Sequence, residues 1–390
     1  MGAAAEVRAV RLTGLRLTDF RNYAGARLDV AAAVTVLVGD NGAGKTNLLE
    51  AISCLSPGRG LRRAQMKDIA RIGGSGGFAV SADVDGAVGP VRIGVGMIAG
   101  EAGRQIRVDG EPQKTSDVLS DHLRVMWLTP AMDGLFTDPA ADRRRFLDRL
   151  VLTLDPAHGR RVLAYEQALT ARNRLLEDLR TDPAWLDATE IQIAELGVAV
   201  AAARRDTVAA LCRQIAASAA EDAFPPVALA LDGDIERALA GADPATDAVS
   251  ASGAAAAEVE EHWIRDLAAS RSRDRAAGRT LTGPHRSDLV VHHAGKAMPA
   301  ALSSTGEQKA LLIGLVLAHA RLVRDLSAIA PVLLLDEVAA HLDPSRRHAL
   351  ARRLADLDCQ AFLTGTDAEM FSDFADAQVV RADGGRLIGS

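Results

Sequence analysis

Apolar and polar positions divide the chain into three stretches of different rhythm. Up to about residue 130 the period is short. Residues 9–30 alternate loosely, 33–38 (AVTVLV) form a compact apolar run, and Val- and Ile-containing pieces separated by glycine fill 78–110. Such pieces predict strands and turns, with Gly73-Gly74-Ser75-Gly76-Gly77 a flexible turn. From about 139 the period lengthens. Residues 140–153, 157–180 and 186–220 carry Ala, Leu, Arg and Glu at helical spacing, with Pro183 interrupting the second and third. The stretch 225–256 mixes Pro, Gly, Asp and Ala and predicts a loop with little regular structure, followed by a helix over 256–277. After 280 helix and strand alternate: a helix at 306–326, a strand at 331–335, a helix at 344–357 and a strand at 360–364. No fixed-period repeat is visible. The expected architecture is an α/β domain split by a helical insertion, with boundaries at 1–130, 131–275 and 276–390.

Composition narrows the class. The chain has 390 residues, of which 48% are hydrophobic and 25% charged, which excludes collagen, wholesale disorder and a disulfide-stapled miniprotein. No run of about 18 apolar residues predicts a membrane span. The opening MGAAAEVRAVRL lacks the apolar core of a secretory signal, and Val7 holds the Ser/Thr position of a myristoylation pattern. Cys54, Cys212 and Cys359 are widely spaced and read as inert thiols of a reducing cytosol. A net charge of −6 means that any binding of nucleic acid depends on local basic patches, and 3% aromatics argue against a base-stacking platform.

The strongest chemical signal is Gly39-Asp40-Asn41-Gly42-Ala43-Gly44-Lys45-Thr46, a complete Gly-x-x-x-x-Gly-Lys-(Ser/Thr) pattern between an apolar strand and the helical segment TNLLEAISCL. The glycines let successive N–H groups turn inward on phosphate oxygens, and the helix N-terminus adds partial positive charge. Lys45 supplies a full charge between the β- and γ-phosphates, and the Thr46 hydroxyl is a ligand for Mg²⁺. Such a loop needs a carboxylate on the metal. Pro331-Val332-Leu333-Leu334-Leu335-Asp336-Glu337 reads as a buried parallel strand ending in two acids. Asp336 would stand by Mg²⁺, and Glu337 would orient or deprotonate the attacking water. The long interval between Lys45 and Asp336 places a large insertion between two halves of one sheet.

A third element, Ser303-Ser304-Thr305-Gly306-Glu307-Gln308-Lys309, opens an apolar helix. Ser304 to Glu307 also reads as a capping box, and Asp343 before Pro344 as a helix N-cap. With all three elements in order the chain resembles an ABC-type ATPase head. Ser304 and Gly306 then match the signature loop that meets ATP from a second subunit, and Ala340-His341-Leu342-Asp343 matches the D-loop. Phe20-Arg21-Asn22-Tyr23, the run from Leu55 to Arg62, Arg143-Arg144-Arg145-Phe146-Leu147-Asp148, Arg172-Asn173-Arg174-Leu175-Leu176, Gly283-Pro284-His285-Arg286-Ser287-Asp288-Leu289 and Leu363-Thr364-Gly365-Thr366-Asp367 narrow the resemblance, over almost the whole chain, to the RecF family, related to SMC heads.

That resemblance implies an ABC-type P-loop ATPase head with an inserted, mainly helical domain. It further implies ATP and Mg²⁺ as cofactors and a cytoplasmic protein that binds gapped double-stranded DNA and its single-strand junctions as an ATP-bridged homodimer. RecR and RecO are the implied partners, and RecA loading and the SOS response the implied setting. No histidine stands near Thr366 and no glutamine in 127–132, so the implied hydrolysis is slow, a weak DNA-stimulated ATPase. Glu337 and Lys45 are the expected catalytic pair. For DNA the candidates are Arg59, Arg62 and Arg63, then Arg143, Arg144, Arg145 and Arg149, then Arg271, Arg273, Arg275 and Arg279. Guanidinium forks suit phosphate, and solvated helix faces with local acid partners are the plainer reading of each cluster. The competing function is the energising ATPase subunit of a membrane transporter, disfavoured by the helical insertion and the two absences just named.

Overall fold

The computed structural model describes residues 10–101, 103–178, 180, 182–218, 223–240, 248–327, 329–339 and 342–389. The chain forms two units. One comprises Met1–Gly134, Gln214–Pro226 and Ser303–Ser390, the other Leu135–Arg213 and Val227–Leu302.

The first unit begins with β1 (Arg11–Phe20), β2 (Tyr23–Asp29) and β3 (Val34–Val38), followed by α1 (Lys45–Ser53), the short α2 (Met66–Ile69), β4 (Phe78–Gly86), β5 (Gly89–Met97), β6 (Gln105–Val108), β7 (Glu111–Pro112) and β8 (Val125–Leu128). The second unit then runs through α3 (Ala140–Leu154), α4 (His158–Glu177), α5 (Pro183–Ser218), whose last residues return to the first unit, β9 (Val227–Asp232), α6 (Asp234–Ala240), α7 (Ala248–Ala269), α8 (Arg271–Ala277), β10 (Asp288–His293) and β11 (Met298–Pro299). Back in the first unit come α9 (Thr305–Ser327), β12 (Val332–Leu335), α10 (Pro344–Asp356), β13 (Ala361–Gly365), β14 (Gln378–Asp383) and β15 (Arg386–Ile388).

Two sheets build the first unit. An antiparallel sheet runs β2-β1-β4-β5-β6-β7, and its loose alternation is the expected one: Leu12, Leu15, Leu17 and Phe20 of β1 face the core. The second sheet, ordered β15-β14-β3-β13-β12-β8, is parallel except for the β14–β15 hairpin. Val332–Leu335 are all buried, as an unbroken apolar run in a parallel strand requires. The second unit packs Tyr165, Leu169, Ile193, Val198, Trp263 and Leu267 into its own core.

Three expectations need correction. Residues 225–256 were to be a loop, yet they hold β9 and α6. The alternation in β9 is short, and its partner β10 lies far along the chain, with Asp288 opposite Asp232 and His293 opposite Val227. Local composition carries no trace of such a partner. The same pairing assigns 276–302 to the second unit, so the return to the head falls at Ser303 instead of 276. The helix expected over 256–277 is two, α7 and α8, and α8 ends on Gly278 in the left-handed region at φ 64. Cys54 and Cys359 are buried free thiols pushed up to about 12 by burial, as inert thiols should be. Among the described residues no helix is long and apolar enough to cross a membrane.

Candidate nucleotide-binding site

Strand register assembles the site. β3 lies between β14 and β13, with Val38 opposite Gly365, and β13 pairs on its other side with β12, with Leu363 opposite Leu335. The carboxyl ends of three parallel strands therefore gather, and the chain beyond each enters the same crevice. From β3 this brings Gly39–Thr46, from β12 Asp336 and Glu337, and from β13 Thr364.

The loop Gly39–Gly44 turns directly into α1, whose first turn holds no acidic residue and whose N-cap, Gly44, offers no side-chain cap. The N–H groups there stay available to an anion. Gly44 adopts φ 116, and a Cβ on it would come within 2.7 Å of the Tyr23 hydroxyl and 2.6 Å of Asn22 Nδ2. Lys45 is buried, and its ammonium donates to the carbonyls of Gly39 at 2.6 Å and Asp40 at 3.0 Å. It meets no carboxylate among the described residues.

Thr46 and Asp336, 290 residues apart, meet here: the Thr46 hydroxyl lies 3.0 and 3.1 Å from the two Asp336 carboxylate oxygens. The Thr364 hydroxyl donates to Asp336 Oδ1 at 2.8 Å and accepts the Glu337 N–H at 2.8 Å. Burial, then the neighbouring Glu337 charge, push the Asp336 carboxyl above its ordinary range, against the two hydroxyls and the Arg62 charge. Asp336 thus has two hydroxyl partners and, among the described residues, no ion pair. Its hard oxygens beside the Thr46 hydroxyl suit Mg²⁺, which keeps waters and phosphate oxygens as its other ligands. No cluster of three or more His, Cys, Asp or Glu able to hold a metal exists among the described residues. Glu337 takes φ 53, a left-handed conformation uncommon outside glycine, so the chain kinks where the strand ends.

The expected signature-loop and D-loop residues lie at the starts of two other helices, α9 and α10. Ser304 precedes α9, and its N–H and hydroxyl both donate to Glu307 Oε2 at 3.1 Å, the acid-to-backbone half of a capping box. A Cβ on Gly306 would meet nothing within 4 Å. Asp343 caps α10, accepting the Arg346 N–H at 2.9 Å, while Ala340 and His341 of the expected D-loop lie outside the described residues.

The basic clusters separate sharply. Arg143 is bidentate on Asp288 at 2.7 and 2.8 Å, Arg144 donates to the Ser287 carbonyl at 2.7 Å, and Arg145 pairs with Asp142. Arg149 lies over the Phe146 ring, 5.3 Å from its centroid. Arg271 holds Glu190 and Asp187, and Arg275 the Leu176 carbonyl. Arg59 and Arg63 are exposed, and Arg62 reaches back to α1 through Asn47 Oδ1 at 2.6 Å and Glu50 Oε2 at 2.8 Å. Glu50 is buried and also receives Arg21.

Sequence reasoning assigned no role to Thr364, Asn22 or Tyr23, although all three lie in motifs that it singled out. His285 and Arg286 also lacked a physical account. His285 now has one inside the second unit, its ring nitrogens placed between the Tyr165 hydroxyl at 2.8 Å and the Thr280 carbonyl at 3.0 Å, with burial lowering its pKa.

Comparison with known proteins shows the family. The family model described as the RecF/RecN/SMC N terminal domain matches residues 11–385. A "DNA replication and repair protein RecF" of Mesorhizobium japonicum is 55% identical over 379 residues, covering 96% of this chain and 97% of its own. Its counterpart in Rhizobium etli is 54% identical, with 97% and 99% covered. Among solved structures, one titled as the recombination mediator protein RecF-ATPrS in the RecFOR pathway superposes with TM-score 0.83 at 23% identity, covering 97% of each chain. An SMC head domain from Pyrococcus furiosus reaches 0.52 at 15% identity, with 97% and 96% covered.

Proposed function

The chain belongs to the RecF family, and from that premise and the site's geometry we propose that it serves DNA replication and repair as an ATP-dependent DNA-binding protein of the cytoplasm. The observation that carries the nucleotide reading is the meeting of Thr46 with Asp336 at the mouth of a complete phosphate-binding loop. In this reading the N–H groups of the loop and of the start of α1 receive the phosphates, and Lys45 leaves the Gly39 and Asp40 carbonyls for them. Thr46 and Asp336 would hold Mg²⁺, whose charge neutralises the phosphates when it is bound. Glu337, turned out of the strand by its left-handed backbone, orients or deprotonates water, with slow turnover. Ser304 and Gly306 would meet the phosphates of ATP bound to a second copy, and Asp343 would face the same junction, giving an ATP-bridged homodimer. The full-length likeness to RecF proteins displaces the transporter reading.

For DNA the candidate surface is that of Arg59, Arg62 and Arg63, all three of which are exposed. Arg62 joins it to the phosphate-binding helix through Glu50 and Asn47, so nucleotide and DNA can be sensed together. Its partners would be double-stranded DNA at gaps and single-strand junctions, and RecR and RecO in RecA loading and the SOS response. The test is DNA binding by the full chain with Mg-ATP, with Mg-ADP and without nucleotide, across a salt series. Tight, salt-sensitive binding with ATP alone is expected. Equal affinity in all three states would defeat the proposal.

A further inference from the structure

Asn22 and Tyr23 lie outside the phosphate-binding loop, at the turn between β1 and β2, yet both reach its carbonyl groups. The Asn22 side-chain amide donates to the Ala43 carbonyl at 3.1 Å, and the Tyr23 hydroxyl to the Gly44 carbonyl at 3.0 Å. A third hold comes from the β14–β15 turn, where the Gly385 N–H donates to the same Ala43 carbonyl at 3.4 Å. The Asn22 amide is itself oriented: its oxygen accepts from Asn47 Nδ2 at 2.8 Å, so a flipped amide would set oxygen against oxygen. Tyr23 is fully buried, and burial pushes its phenol up to about 12, so it remains a donor throughout the neutral range.

Peptide geometry turns these contacts into a statement about the anion site. A trans peptide is planar, and its C=O and N–H point in opposite directions. Fixing the Ala43 carbonyl fixes the N–H of Gly44, and fixing the Gly44 carbonyl fixes the N–H of Lys45. The Ala43 carbonyl is held by Asn22 and Gly385, and the Gly44 carbonyl by the Tyr23 hydroxyl together with the Leu48 N–H of α1 at 3.0 Å, so both N–H groups face the other way, toward the cradle. Gly44 is what allows this, because a side chain there would strike both donors.

We propose that Asn22 and Tyr23 are positioning residues of the anion cradle: by gripping the Ala43 and Gly44 carbonyls they aim the Gly44 and Lys45 N–H groups at the phosphates. The proposal rests on the nucleotide reading above and adds to it where the cradle's rigidity comes from. It also gives the Phe20-Arg21-Asn22-Tyr23 motif a physical task distinct from the ion pair between Arg21 and Glu50. A preorganised donor array binds more tightly because it spends less on ordering at the moment of binding.

The test uses two near-isosteric variants of the full chain. Tyr23→Phe removes one hydroxyl. Asn22→Asp keeps the acceptor for Asn47 and replaces the donor with a carboxylate. Mg-ATP affinity is measured by titration and apo stability by thermal unfolding. Tyr23→Phe is expected to weaken ATP about tenfold, the worth of one well-placed hydrogen bond, and Asn22→Asp to weaken it more. Apo Tm should stay within about 2 °C of wild type in Tyr23→Phe. A merely structural role predicts the reverse, a fall in apo Tm with affinity following only in proportion, and that result overturns the proposal. So does wild-type affinity in both variants. A wild-type chain that fails to bind Mg-ATP is a different result, and it removes the nucleotide reading itself.

Discussion

Each unit holds a conspicuous buried polar cluster, and these two are built on opposite principles. In the second unit Arg172 is wholly buried. It donates to Glu190 at 2.9 Å, to Asp274 and Thr280 at 2.8 Å each, and to the Leu267 carbonyl at 2.8 Å. Ser270 adds a bond to Asp274, and Arg271 closes over Glu190. Cations and anions are matched within the unit. In the first unit Asp336 is buried against two hydroxyls, with Glu337 beside it in sequence, and Lys45 is buried against two carbonyls. Both charges are hydrogen-bonded, and neither has an ion pair among the described residues. A cluster whose charges cancel is a device of the fold, whereas one that holds an unpaired acid and an unpaired base in the same crevice has charge to offer to a ligand.

The acids report the same contrast. Burial alone would raise the Asp148 carboxyl in the second unit, but the hydrogen bond to His158 and the Arg204 fork outweigh it and bring it to about 2. Asp336 goes the other way. Asp148 therefore contributes stability that is present above its unfolded pKa, near 3.8, and is lost as pH falls through about 2. Ionised Asp336 costs stability at neutral pH, and that cost disappears as pH falls below its unfolded pKa.

The largest expected effect breaks the balanced cluster. Arg172→Met leaves Glu190 and Asp274 buried without their shared cation and should cost about 3–5 kcal/mol, read as a lower denaturant midpoint. Lys45→Ala is also the loss of a buried cation, but no carboxylate depends on it. It should spare the midpoint and weaken Mg-ATP binding at least about a hundredfold, because a charge-assisted contact to phosphate is gone. If Lys45→Ala unfolded the chain and Arg172→Met did not, the assignment of the two clusters would be inverted.

Much of the first cluster was legible in the sequence, since a phosphate-binding loop and an apolar strand ending in acids are each local patterns. The register that unites them was not, nor was Thr364, whose partners Asp336 and Glu337 belong to another strand. Tyr23 and Asn22 escaped for a related reason: they act on carbonyls, and a carbonyl has no signature in sequence. The arginines of 143–145 read as a basic patch because Asp288, which takes Arg143, lies 145 positions away. The strands β9 and β10 fail the same way, each short and each defined by the other.

A subtler expectation concerns Asp336→Asn. The amide keeps an oxygen for the hydroxyls of Thr46 and Thr364 and loses the desolvated charge. At pH 7 the variant without nucleotide should melt above wild type, and the gap should close as pH is lowered past the ordinary carboxylate range. Addition of Mg-ATP should stabilise wild type and not the variant. A destabilised Asp336→Asn at pH 7 would mean that the carboxylate is a structural anion after all.

The smallest effect falls on Gly306, which belongs to neither cluster. It is the second residue of α9, its φ is not positive, and a Cβ on it would meet nothing. Among the described residues nothing requires glycine here, and α9 would be better served by alanine. Gly306→Ala should therefore stabilise the protein by about 0.5 kcal/mol, with Mg-ATP affinity unchanged because Lys45, Thr46 and Asp336 are untouched. If the phosphates of a second copy approach the start of α9, the added methyl stands between them and the N–H groups. ATP-driven dimerisation, followed by light scattering, should then weaken while stability rises. Ser304→Arg places a bulkier obstacle beside the same helix start and should abolish dimerisation, at a cost to the Glu307 cap of about 1 kcal/mol. Opposite signs in stability with the same sign in assembly would separate a surface kept bare for a second copy from one kept bare by accident. Dimerisation at wild-type strength in both variants would place the ATP-bridged junction elsewhere.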